Sequence, residues 1–193
     1  MSPNRKITAQ CRGIAQRLPR ILMLLLLFVS FDIACLRVSA QAPNEYRVKA
    51  AFILNFARFI EWPSDAYGDG SWLVVGIVGD DPFGGSFDQL NGNIINGRRI
   101  AIKHLKATDY LKACQILFVS SSERGRLGKI LESVRGGSVL TIGELTQFNQ
   151  AGGVIKFVIQ DDRVRFEINT GAASQARLKV SSKLLALSKN GKN

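Results

Sequence analysis

The chain has 193 residues, of which 46% are hydrophobic and 21% charged, and its formal net charge is +11. The first 40 residues carry six basic side chains and one acidic side chain, which leaves residues 41–193 with 20 basic and 14 acidic side chains and a net charge of only +6. This size and composition predict one domain and exclude a disordered tail, a repeat array, a collagen-like fibre and a multi-span membrane protein.

Residues 1–40 have the layout of a secretory signal peptide. Basic residues between Arg5 and Arg20 precede the apolar run 21–31, and small residues follow at Ser39 and Ala40. The apolar run is too short for a comfortable membrane span. We therefore expect cleavage after Ala40, export, and a mature domain of residues 41–193. The alternative is that the segment stays uncleaved as an N-terminal anchor.

The first half of the mature chain predicts a long helix followed by a buried strand. Residues 45–61 carry two apolar stripes at helical spacing and a narrow polar edge, which indicates a helix buried on two sides. The continuous apolar run 72–79 predicts a central strand covered on both faces. The other elements expected here are a loop over 64–71, a short helix near 83–90 that begins after Asp80, Asp81 and Pro82, and a cationic strand over 98–104 near a sheet edge.

The second half predicts alternating strands and helices that end in a hairpin. Asp161-Asp162 reads as a two-residue hairpin turn between the strands 154–160 and 163–169, with Phe157 facing Phe166 on one face and Lys156 facing Glu167 on the other. The same register pairs Ile155 with Ile168, Ile159 with Val164, Val158 with Arg165 and Gln160 with Arg163. The remaining expected elements are strands over 115–119 and 138–142, a helix over 120–134 opened by a Ser120/Glu123 capping box, a short helix over 144–150 and an amphipathic helix over 172–187.

This order of elements predicts an α/β fold. Buried strands alternate with helices and the chain closes with a hairpin, which is typical of a three-layer sandwich with a mixed, mostly parallel sheet and a C-terminal β-hairpin followed by a helix. The sequence has no internal repeat and no linker long enough to divide residues 41–193 into two domains.

Groups for catalysis are scarce in this sequence. His104 is the only histidine and Cys114 is the only cysteine after residue 40, so multi-histidine and zinc-finger sites are excluded. There is no G-x-S-x-G elbow, no P-loop and no G-x-G-x-x-G loop. We therefore expect no enzyme activity, no cofactor and no metal, and the lack of a basic block argues against nucleic-acid binding. Cys114 is expected to be an inert core residue, with an intermolecular disulfide as the alternative.

Arginines offer the most specific candidate binding groups. Arg58 lies on the polar edge of the long helix, and Arg165 shares one face of the hairpin with Glu167 and Arg163. If the helix and the hairpin approach each other, Arg58, Arg165 and Glu167 would line a small pocket for an anionic ligand, since guanidinium groups suit carboxylate and phosphate. The alternative is that these are solvated or ion-paired surface charges.

Several segments together resemble the YfiR family of exported α/β proteins. The likeness extends in the right order over nearly all of residues 41–193 and rests on VKAAFILNFARFIEWP (48–63), GDDPF (79–83), VLTIGE (139–144), GGVI (152–155), VRFEIN (164–169) and LKVSSKLL (178–185).

The resemblance implies a periplasmic, dimeric, non-catalytic regulator. It suggests binding to the ectodomain of an inner-membrane diguanylate cyclase or another membrane signalling protein, with repression of cyclic di-GMP synthesis and of biofilm formation. A small ligand would be held through arginines, and Arg58 and Arg165 match such positions. Redox control through an internal disulfide does not carry over, because the mature chain has only Cys114. The alternative is a periplasmic sensor of an anionic or aromatic small molecule that serves another membrane partner.

Overall fold

The computed structural model describes residues 42–68, 70–85 and 87–189, without the side chains of residues 42–44. The signal peptide expected over residues 1–40 lies outside these ranges. From Pro43 onward the chain forms one compact unit. In the described ranges, no helix is both long enough and apolar enough to cross a membrane.

Most described strands belong to one seven-stranded mixed sheet. Its spatial order is β3-β4-β2-β5-β6-β7-β8, in which β4, β2, β5, β6 and β7 are mutually parallel and the outer strands β3 and β8 are antiparallel to their neighbours. The strands are β1 (Ile60–Glu61), β2 (Trp72–Val78), β3 (Ile94–Ile95), β4 (Arg98–Leu105), β5 (Ile116–Val119), β6 (Leu140–Gly143), β7 (Ile155–Gln160), β8 (Arg163–Ile168) and β9 (Lys179–Val180). The helices are α1 (Ala42–Phe59), α2 (Leu127–Ser133), α3 (Thr170–Gln175) and α4 (Ser182–Leu187).

Two hydrophobic cores lie on opposite faces of the sheet. Alternate residues of a strand point to opposite faces, so Phe118 of β5 belongs to the core under α1, α3 and α4, whereas Val119 belongs to the core under α2. The expected three-layer α/β sandwich is therefore confirmed, with β2 buried at the centre as its uninterrupted apolar sequence predicted.

The C-terminal hairpin has the predicted register at all six pairs, from Ile155 with Ile168 to Gln160 with Arg163. Asp161 and Asp162 form the turn with φ values of 51° and 54°, the left-handed conformation that a type I′ hairpin turn requires at both central residues. Phe157 and Phe166 face α1, where Phe166 packs edge-on against Phe56 at 4.9 Å between ring centroids. The hairpin therefore holds α1 against the sheet.

Two short helices expected from the sequence do not form. In the described residues between β2 and β3 the chain makes turns and the 3-10 segment Asp88–Leu90, because Gly84 and Gly85 take φ values of 62° and 73° that a right-handed helix cannot contain. Residues 144–150 form turns closed by hydrogen bonds such as that from the Phe148 amide to the Leu145 carbonyl at 2.9 Å.

The helix expected over residues 172–187 is interrupted. It is divided into α3 and α4, with Arg177 at φ 56° and β9 between them. β9 pairs with β1, which also explains why α1 ends at Phe59 rather than at Glu61. Ser181 caps α4 by accepting a hydrogen bond from the Leu184 amide. Pairing between these distant segments replaces the helical hydrogen bonds that the local pattern predicted.

The helices α1 and α2 also depart in part from expectation. Val48, on the second apolar stripe of α1, is 38% exposed, so this helix is buried on one side and partly open on the other. The segment 120–134 starts as the 3-10 turn Ser121–Arg126 before α2. Ser120 caps it as predicted, but Glu123 pairs with Arg126 at 2.7 Å instead of closing a capping box.

Candidate functional site

The residues proposed from the sequence as an anion pocket lie on different surfaces. Arg58 is exposed near the end of α1 and donates a hydrogen bond from Nη1 to Asn55 Oδ1 at 3.3 Å. Arg165 is exposed on β8 and faces Val158 across the hairpin. Helix and hairpin do approach each other, but through Phe166, and strand alternation puts Arg165 on the face opposite to Phe166. The role of Arg58 and Arg165 in ligand binding stays a prediction.

Glu167 is part of an ion-paired cluster on that opposite face. Its carboxylate contacts Lys156 Nζ at 2.8 Å and Lys189 Nζ at 3.4 Å. The hydrogen bond from Lys156 and the positive charges of both lysines lower the pKa of Glu167 against the opposing effect of burial. Glu167 is thus a charge partner that orients Lys156.

Lys156 in turn lines a cavity of about 480 Å³ at the carboxyl ends of the parallel strands. β7 pairs with β6 only as far as Lys156, so Phe157–Gln160 extend past the end of β6. Among the described residues, no strand pairs with this part of β7 on that side. The cavity fills the gap between this edge, the segment that follows β6 and the first turns of α1. Crevices at the carboxyl ends of strands are where ligands bind in open α/β sheets.

A buried lysine forms the floor of this cavity. The Lys49 side chain is only 4% exposed, and its Nζ lies 2.5 Å from Glu144 Oε2 and 2.5 Å from Glu45 Oε1. Tyr46 donates its hydroxyl to Glu144 Oε1 at 2.9 Å, and burial together with the Glu144 charge raises the pKa of Tyr46, which keeps the phenol protonated. The arrangement fixes the start of α1 to the end of β6.

The rim of the cavity carries the groups that remain free to bind a ligand. Arg124 is exposed and makes no ion pair with any residue that the structure describes. Ser121 and Thr146 supply polar side chains, and Leu145 and Ile159 supply apolar surface. Such a cavity suits a small anion with an apolar part, held by the guanidinium group of Arg124.

The sequence contains one indication of the cavity beside β7, although the candidate arginines do not point to it. Lys49 interrupts a run of apolar residues, Val48, Ala50, Ala51 and Phe52, in a helix that the sequence predicts to be buried on two sides. A buried lysine requires a carboxylate partner. That partner, Glu144, is 95 residues away along the chain, so only the folded structure identifies it.

A second surface feature is an open groove along α1. It has a volume of about 440 Å³ and is lined by Arg47, Val48, Ala51, Phe52 and Asn55. Phe52 also contacts the core through Phe56, at 6.0 Å between ring centroids. The groove is therefore an apolar strip with a cationic border on a rigid helix.

Cys114, the only cysteine after residue 40, is unsuited to nucleophilic catalysis. Cys114 is 2% exposed beneath β2, where Gly76 has no side chain to displace it. Burial raises the pKa of its thiol to about 11, so the reactive thiolate is absent at neutral pH. The expectation that Cys114 is a core residue is confirmed.

Comparison with known proteins gives one family and one structural likeness. The model of the YfiR/HmsC-like family matches residues 46–189. No curated protein matches the chain. Among solved structures, a conserved domain protein from Vibrio cholerae O1 biovar El Tor is similar with a TM-score of 0.46 and 10% sequence identity, over 61% of this chain and 54% of that one. The chain thus spans about half the length of that protein.

Proposed function

Because the chain belongs to the YfiR/HmsC-like family, we propose that it is a non-catalytic periplasmic regulator of an inner-membrane signalling protein. In this proposal it binds the ectodomain of a diguanylate cyclase and represses cyclic di-GMP synthesis. The observation that carries the proposal is the family match over residues 46–189, which includes most of α1, the whole central sheet and the hairpin.

The groups around the cavity support binding rather than turnover. Lys49 is held between Glu45 and Glu144. Burial, together with the charge of Glu144, raises the pKa of Tyr46 and keeps its hydroxyl protonated. A general base needs a proton affinity near the working pH and access to its substrate. Lys49 and Tyr46 are instead engaged in contacts that fix α1 to the sheet.

The groove along α1 is the surface that we assign to the partner. Val48 is 38% exposed beside the half-buried Phe52, and Arg47 adds positive charge at the border. An exposed apolar strip on a folded domain marks an interaction surface, and complementary charge sets its orientation. The expected partner surface is an apolar ridge flanked by carboxylates.

Repression requires that the regulator bind the inactive ectodomain more tightly than the active one. A regulator that binds both conformations equally does not change their populations. Moving a two-state population from 1:99 to 99:1 requires an affinity for one conformation that is about 10⁴-fold higher than for the other. Release would follow from any event that removes this preference.

A gene deletion with matched complementation tests the proposal. Deletion should raise cellular cyclic di-GMP, and the wild-type chain should restore the low level. Val48→Glu places a carboxylate in the groove and should fail to restore it, whereas Tyr110→Glu, at a side chain that is 75% exposed outside the groove, should restore it. An unchanged cyclic di-GMP level after deletion in every growth condition would contradict the proposal, as would membrane cross-linking that captures no signalling protein.

The second candidate function is that of a periplasmic small-molecule sensor, and the cavity beside β7 favours it. Calorimetry with nucleotides and amino acids should detect one anionic ligand. Arg124→Ala should weaken its binding if the cavity is the site, whereas Arg58→Ala and Arg165→Ala should weaken it if those arginines hold the ligand. Absence of heat with every compound would contradict this function.

A further inference from the structure

Three side chains of types that can ligate a metal ion converge on the surface at the carboxyl ends of β2 and β4. Asp81 follows the end of β2, His104 is the last residue but one of β4, and Asp88 begins the 3-10 turn between these strands. Each offers one ligand atom, and the three atoms all lie within 4.8 Å of one another. The three residues come from separate segments, so the fold and not a local motif brings them together.

The fold fixes the backbone positions of these three residues. The segment between Asp81 and Asp88 is anchored by Phe83 and Phe87, which are 4% and 0% exposed and stack at 4.8 Å between ring centroids. Asp81 Oδ1 accepts a hydrogen bond from the Phe83 amide at 2.8 Å, which orients its carboxylate. His104 lies in a strand whose register against β2 pairs it with Ile77. A site that is ordered before binding loses little conformational entropy when the ligand arrives.

The separation of the groups already approaches that of a coordination shell. His104 Nε2 lies 3.0 Å from Asp88 Oδ1. Two ligand atoms at about 2.0 Å from a tetrahedral zinc ion are roughly 3.3 Å apart, so small rotations of the side chains would open space for the ion. The His104 and Asp88 side chains are 48% and 51% exposed, so an ion has access from solvent.

We propose that Asp81, Asp88 and His104 form a binding site for a divalent transition-metal ion of the Zn²⁺ class. One imidazole nitrogen and two carboxylate oxygens are a ligand set that suits zinc and its neighbours in the first transition row. Calcium and magnesium prefer oxygen ligands alone. Three protein ligands leave a fourth tetrahedral position for water. From the sequence we expected no metal, because multi-histidine and zinc-finger sites are excluded, whereas this site needs only one histidine and two carboxylates.

This site is independent of the proposed regulatory function. It shares no residue with the cavity beside β7 or with the α1 groove. Failure of the metal proposal would therefore leave the regulator proposal intact, and the converse also holds.

Nuclear magnetic resonance of the imidazole tests the proposal directly, because His104 is the only histidine in the sequence. The full chain is produced without a polyhistidine tag, purified as the cell processes it and titrated with zinc chloride. The nitrogen resonances of the single imidazole should shift and saturate at one equivalent of zinc. Asp81→Asn and Asp88→Asn should each weaken this response about tenfold or more, a size of loss common when a group of a metal site is removed.

Asp161→Asn is the matched control. It removes an exposed carboxylate from the hairpin turn, where asparagine also tolerates the left-handed backbone, and it should leave the zinc response unchanged. Magnesium chloride in place of zinc chloride should not shift the imidazole resonances. An imidazole that does not respond to low-micromolar zinc would overturn the proposal. A response that survives both Asp81→Asn and Asp88→Asn would also overturn it, since a lone surface histidine would then explain the binding.

Discussion

Replacing Glu144 by glutamine should destabilise the fold through the lysine that it neutralises. Glutamine keeps the size of the side chain and an oxygen that can accept from the Tyr46 hydroxyl, now 2.9 Å from Glu144 Oε1. It removes the charge that lies 2.5 Å from Lys49 Nζ. Lys49 is only 4% exposed, so solvent cannot replace the lost partner.

The expected loss is about 2–3 kcal/mol of unfolding free energy. Removing one member of a fully buried ion pair costs about 3–5 kcal/mol. The loss expected here lies at or below the lower end of that range, because Glu45 still contacts Lys49 and the Glu144 side chain is 14% exposed. For a domain of this size the change corresponds to a fall in melting temperature of roughly 4–12 °C.

Urea denaturation of three variants separates this explanation from a general effect of mutation. Lys49→Met alone should cost less than Glu144→Gln, because the carboxylate that it leaves behind is 14% exposed and still accepts a hydrogen bond from Tyr46, whereas Glu144→Gln leaves behind an ammonium group that is only 4% exposed. The double variant Lys49→Met/Glu144→Gln should be more stable than Glu144→Gln alone. Glu132→Gln is the control. Glu132 pairs with Arg135 at 2.9 Å on the protein surface, where the two side chains are 61% and 75% exposed. Loss of this exposed pair should cost less than about 0.5 kcal/mol.

Two results would refute the reasoning. One is a Glu144→Gln protein within about 0.5 kcal/mol of wild type, the range of an exposed pair. The other is strict additivity of the two single changes in the double variant, since residues that interact directly should show a coupling energy of about 0.5–3 kcal/mol.

Three further changes have defined outcomes. Burial raises the pKa of Cys114 to about 11, whereas the unfolded thiol titrates near 9.0, so between these pH values the unfolded state loses its proton first. Urea denaturation at pH 8 and 11 should therefore show the stability of the wild type falling by up to about 2–3 kcal/mol relative to Cys114→Ala. An equal change in both proteins between the two pH values would contradict this. Gly153→Ala would push a Cβ into the Phe148 ring and should cost about 1–3 kcal/mol, with recovery in Gly153→Ala/Phe148→Leu; no recovery would mean that the ring is not the obstacle. Gln115→Leu leaves the Val74 amide without its acceptor, now at 2.8 Å, and should lower the unfolding free energy by about 1–3 kcal/mol; hydrogen exchange at Val74 that is no faster would argue against it.

The sequence predicted those elements correctly whose structure depends on residues close together in the chain. The hairpin over β7 and β8 was predicted pair by pair because its register depends on a two-residue turn and on alternation in two adjacent strands. The apolar run of β2 likewise predicted a strand covered on both faces. The predicted helix over 172–187 was wrong in its middle, where β9 pairs with β1 more than 100 residues earlier in the chain.

The candidate sites show the same division more sharply. Arg58 and Arg165 were selected because each sits at a suitable place in its own element, but whether two elements present side chains to the same space depends on how they pack. Lys49 and Glu144 were not selected, although they form the floor of the cavity, since neither shows its partner in its neighbourhood.

By itself, the sequence determined the class of fold, the strand register of the hairpin, the membership of the family and the scarcity of reactive groups. These follow from periodicity, turn chemistry and residue types, which act over a few positions of the chain. Only the tertiary structure decided that β7 outruns β6 to open a cavity and that Asp81, Asp88 and His104 meet. The reason is that such sites depend on distances between segments far apart in the chain, and those distances are set by packing of the whole domain.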